Sequence, residues 1–168
     1  TAAGAVQVTG PWTGSGTLSV TSSGSTVTLN DDITTTGGSS NVGVTCHSGA
    51  LTLADTKTMA SGGTTTLSAQ SIGSVAYTVS SVGAVAIAGP WTATGAVSVT
   101  SSGSTITLND DITTTGTSKD LTISANGALS FASNADALTA SGVLTIAASD
   151  ATSGAATLTS TGNMAMTL

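Results

Sequence analysis

Asp31-Asp32 and Asp110-Asp111 are the densest acidic points of a chain with no Glu and no Arg. Carboxylates this close suggest calcium at a bend, with Asn30 and Asn109 adding carbonyl oxygens. An Asn-Asp-Asp turn also stands without metal, because its side chains can accept local backbone N–H groups. The calcium repeat Gly-Gly-x-Gly-x-Asp is absent, so calcium stays a weak expectation and the structural turn the leading one. Acid–base chemistry suits these pairs poorly, since adjacent residues of a strand point to opposite faces while a glycosidase needs two carboxyls facing one bond. Cys46-His47 has the residue types of a nucleophilic or metal site, yet the same alternation separates the two side chains. Its counterpart in the duplicated segment is Ala125-Asn126. Cys46 falls in phase with Val44 and reads as a small buried hydrophobe.

Trp12 and Trp91 each follow Gly-Pro. Projecting from one side of the molecule, such rings could bind sugars or a neighbouring filament. Laid across a bend, they would shield the core instead. The threonines, among them Thr26/Thr28, Thr34 to Thr36, Thr64/Thr66 and Thr105/Thr107, invite an ice-binding reading. On a 20-residue phase the series is broken by Ala5/Gln7, Ala84/Ala86 and Asn163/Ala165. The Thr excess is then accounted for by strand propensity on a solvated face.

The elements that must position these residues come from duplication. Residues 10–40 return as 89–119, 79 positions later, with 24 of the 31 pairs identical. Within each copy, Gly4, Gly24, Gly43, Gly63, Gly83, Gly103, Gly142 and Gly162 recur at 19- or 20-residue spacing, Thr122 filling one gap. Alternating runs such as Val27/Leu29, Val85/Ile87, Val97/Val99 and Ile106/Leu108 mark strands with one buried face. Gly, Ser, Asn and Asp clusters separate them. No segment carries the three- and four-residue spacing of an amphipathic helix. The nested periods predict an all-β chain, a parallel β-solenoid of about 20-residue coils with two or three strands each. Four such coils would fill each long repeat. Roughly eight to nine coils would make a rod about 40 Å long. The chain reads as a single solenoid over 1–168, with copies at about 5–83 and 84–162 and a partial coil at 163–168.

The composition is 39% hydrophobic, 2% aromatic and 6% charged, with a net charge of −6. With Lys57 and Lys119 as the only basic residues, phosphate neutralisation cannot drive nucleic-acid binding. No 18-residue apolar stretch suggests membrane insertion. The regular apolar alternation argues against disorder. One cysteine allows no internal disulfide. Low charge with abundant Thr, Ser and Gly points to an exported protein. Neither end carries an obvious cap, which predicts either a longer polypeptide or end-to-end association.

Thr-Val-Thr-Leu-Asn-Asp-Asp-Ile-Thr-Thr-Thr-Gly at 26–37, its copy at 105–116, and Gly-Ala-Leu-Thr-Leu at 49–53 resemble the repeat region of filamentous-haemagglutinin-like exoproteins. That resemblance covers nearly the whole chain in period and texture. It implies a right-handed parallel β-helix in a large bacterial surface adhesin, and no catalytic residues.

The expectation is a non-enzymatic extracellular element of the bacterial cell surface, self-associating end to end or laterally into a filament or forming part of a giant adhesin. A glycan- or surface-binding module carried by Trp12 and Trp91 is the alternative. Ice-binding and polysaccharide-degrading β-helices are lesser ones.

Overall fold

A computed structural model of the chain describes residues 1–132, 136–152 and 156–168. Among these, every regular element is a strand. The first coil holds β1 (Val6–Val8), β2 (Trp12–Gly14) and β3 (Leu18–Ser22), and each strand founds one parallel sheet. Face I, built on β1, and face II, built on β2, have eight strands each, while face III, built on β3, has seven. The chain is thus a three-faced parallel β-solenoid of about seven turns and roughly 21 residues per turn, slightly fewer and longer coils than the glycine spacing predicts.

Alternation does the folding work. On face I the inward partners Val6, Val27, Leu51, Ile72, Trp91, Ile112, Leu138 and Leu158 stack directly above one another. Val99 over Val79 and Ile123 over Val99 do the same on face II, and Ile87 over Leu67 on face III. These ladders merge into one apolar core along the axis. Each fully buried Val, Leu or Ile contributes on the order of 1.5–3 kcal/mol relative to exposure. Since no strand can bury its inner residues alone, the coil-to-coil ladder is the folding unit.

Serine hydroxyls close the corners, with Ser22 and Ser101 buried and Ser160 half-buried. The hydroxyls of Ser22, Ser101 and Ser160 donate to the carbonyls of Gly4, Gly83 and Gly142, 18 residues earlier, at 2.8, 2.8 and 2.6 Å. A buried hydroxyl without such an acceptor would be costly. The glycines are fixed by the same crowding: a Cβ on Gly83 or Gly103 would fall within 3.0 Å of a backbone carbonyl oxygen one coil away.

The long repeat differs from expectation in one decisive respect. Trp12 lies on face II, whereas Trp91, its copy, lies on face I. Val27 on face I likewise returns as Ile106 on face III, and Ile33 on face II as Ile112 on face I. The repeat therefore contains eleven strands instead of twelve, or three and two-thirds coils, and each copy is turned by one face. Four coils per repeat and tryptophans on a common side are both corrected. The Gly markers mislead because they slip between faces: Gly24 precedes a face I strand, Gly83 and Gly103 precede face III strands, and Gly142 precedes a face II strand.

Candidate functional site

The acidic pairs sit at coil corners and bind backbone. Asp31 Oδ1 accepts the Asp32 N–H at 2.9 Å, and Asp110 Oδ1 accepts that of Asp111 at 3.0 Å. The second aspartate of each pair reaches the next coil, Asp32 to Thr58 N–H at 2.8 Å and Asp111 to Ala137 N–H at 2.6 Å. Asn41, Asp55 and Asp120 make equivalent axial bonds to Thr64, Ala76 and Val143. Side chains one strand-spacing below an N–H can satisfy it without bending the ladder, which is what a corner needs where regular pairing stops. Among the described residues, no three His, Cys, Asp or Glu side chains gather into a metal-binding group.

Asp31 also pairs with Lys57, Nζ to Oδ1 at 2.9 Å. The Lys57 hydrogen bond, with that from the Asp32 N–H, holds the Asp31 carboxyl below the usual carboxylate range. The Asp31 hydrogen bond and charge in turn raise Lys57. The pair is not repeated, because the position of Lys57 is Asp136 in the second copy. Its stabilisation is complete above the unfolded Asp pKa of about 3.9 and is lost as pH falls through the lower folded value. On the alkaline side it is complete below about 10.4 and is lost as pH rises through the higher folded value. Asp31→Asn should therefore flatten the acid limb of a plot of denaturation midpoint against pH. An unchanged acid limb would assign that limb to other carboxylates.

Trp91 is wholly buried, stacked between Ile72 and Ile112, and its Nε1–H donates to Ser74 Oγ at 2.9 Å. Trp12 packs partly buried against the first coils, its ring folded over Gly14, where a Cβ would meet ring atoms at 2.6 Å. Both rings face the interior, so the projecting-ring expectation does not describe them. Cys46 is buried, stacked in register on Ser22, and burial pushes its thiol up. Exposed His47 follows it at the corner.

The outward positions of the strands carry mostly hydroxyls and methyls. On face II two outward ranks run along the axis. The first is Thr58, Thr78, Ser98, Thr122, Thr145 and Ala165. The second runs from Thr13 and Thr34 through Ala60, Ser80, Thr100 and Ser124 to Ala147 and Thr167. A shallow groove of about 380 Å³ follows the first rank along Thr58, Thr78, Ser98 and Thr122, with Lys57 and Asp120 also lining it. Face I carries a single rank, Thr28, Thr52, Thr92, Thr113, Thr139 and Thr159, interrupted by Gly73 and preceded by Gln7. Reading along the chain mixed these faces, and only the coil register separates them.

The architecture defines a parallel β-solenoid repeat protein. Comparison with protein-family models, curated proteins and solved structures finds no match for the chain.

Proposed function

We propose that the chain is a non-enzymatic, stiff element of an extracellular cell-surface fibre or giant adhesin, of the kind the filamentous-haemagglutinin-like resemblance implies. The observation that carries this reading is the use made of its acidic groups. Asp31, Asp32, Asp55, Asp111 and Asp120 all hold backbone or Lys57, mostly in the adjoining coil. These carboxylates are thus committed to cohesion of the coils, while three continuous ladders supply stiffness. The repetitive outer faces offer many weak, equivalent contacts, whose sum is large when a partner is engaged at several points.

Association of copies belongs to the same proposal. Met164 and Met166 stack in register on Leu144 and Ile146, yet are 46% and 56% exposed. A second copy stacked on this coil would cover them and pair with their strand. Electron microscopy of the purified chain across a concentration series, with and without calcium, tests this. Rods about 34 Å long, seven strand spacings, should dominate when dilute and lengthen when concentrated. Met166→Lys should suppress the lengthening. Particles that stay strictly monomeric at high concentration would remove the self-association part. Release of reducing ends from a polysaccharide would overturn the non-enzymatic reading.

A further inference from the structure

We propose that face II binds ice through its two hydroxyl ranks. Fourteen outward positions form the array: eight Thr, three Ser and three Ala, with no charged residue. Their spacing is fixed in two directions. Along the axis, successive coils repeat at about 4.8 Å, and along a strand the two ranks lie about 6.7 Å apart, two residues of rise. Both distances are close to oxygen repeats in hexagonal ice, so bound water can continue into a crystal lattice at many points at once.

The side chains suit a periodic, uncharged partner. A threonine presents a methyl and a hydroxyl together, and its β-branch leaves few χ1 rotamers. Held on a hydrogen-bonded ladder, the array loses little freedom on binding, which is where the gain from preorganisation lies. The groove beside Thr58, Thr78, Ser98 and Thr122 gives a file of water a place next to these hydroxyls. Ordered water is stable where several polar groups converge on it. A sugar polymer would call for exposed aromatic rings, but Trp12, Trp91 and Tyr77 all turn inward. Faces I and III fit less well. Face I has one rank, broken by Gly73, and face III carries Gly43, Ala86 and Ala88 among its outward positions.

The test is partition of the purified chain into a slowly growing ice surface, alongside measurement of thermal hysteresis. The wild type should enter ice above the level of a non-binding control protein. Thr78→Tyr and Thr122→Lys, each at the middle of face II, should fall to that control level. Thr113→Tyr on face I and Thr107→Tyr on face III should partition as the wild type does. Circular dichroism confirms that each variant keeps its strands. Two independent face II changes guard against one of them failing to fold. Exclusion of the wild type from ice overturns the proposal. So does retained binding in the folded face II variants, or equal loss in the face I or face III variants.

Discussion

Trp91→Ala should lower stability by about 3–5 kcal/mol, the range for deleting a fully buried large aromatic. The ring is 0% exposed and occupies one rung of face I between Ile72 and Ile112. A solenoid rung has rigid neighbours above and below, each fixed by its own ladder, so the cavity cannot collapse easily. Removal also leaves Ser74 Oγ without the donor it has at 2.9 Å. Trp12→Ala should cost distinctly less, since that ring is only partly buried and packs over Gly14. Denaturant midpoints at constant slope measure both effects. Emission adds a second readout: Trp91 should be blue-shifted and protected from quenchers, and Trp12 more accessible. Equal losses for the two variants would contradict the packing described above.

That contrast shows what the sequence carried and what it withheld. The inward residues were legible one strand at a time: Val27, Leu29, Val85, Ile87, Val99, Ile106 and Leu108 are all buried. Alternation is a local property, and apolar residues two apart must share a face. The number of strands per coil was not legible, because all three faces use the same Val/Thr alternation and the same Ser-Gly corners. Nothing local distinguishes a strand of face I from one of face II. Register is set by loop length, and coils vary from 19 residues between Ile72 and Trp91 to 26 between Ile112 and Leu138. A parallel strand accepts any alternating neighbour, so only the closed coil decides which strands stack. The corner aspartates were visible as turn formers, but their bonds to the next coil, as from Asp32 to Thr58, depend on that same closure.

One consequence is that the duplicated segment keeps its axial neighbours while changing face. Eleven strands on a three-strand coil return the same sequence one face further round. Ile33 on face II stacks between Trp12 and Met59, and its copy Ile112 on face I stacks between Trp91 and Leu138, which stand at the copied positions of those two residues. The surroundings diverge where a contact reaches outside the copy: Trp91 rests on Ile72, whereas Trp12 lies in the first coil. Differences between the copies test this directly.

Gly89 and Gly10 occupy the same position of the repeat, and substitution should separate them sharply. Gly89 adopts φ +116°, and a Cβ there would clash with the Ala69 carbonyl oxygen. That oxygen belongs to the coil below and cannot retreat without breaking the ladder around it. Gly89→Ala should cost about 1–3 kcal/mol from the strained backbone alone. The backbone clash adds to this, so the loss should approach that of Trp91→Ala. A Cβ at Gly10 meets nothing within 4 Å, and its φ lies outside the left-handed region. Gly10→Ala should be neutral or slightly stabilising, because alanine restricts the unfolded chain without straining the folded one. Paired thermal and denaturant unfolding of the two variants gives the comparison. Similar losses at both positions would mean that the glycine serves the Gly-Pro-Trp turn itself. A loss at Gly89 only would assign it to the stacked coil, since Gly10 shares neither the positive φ nor the close approach to a coil beneath.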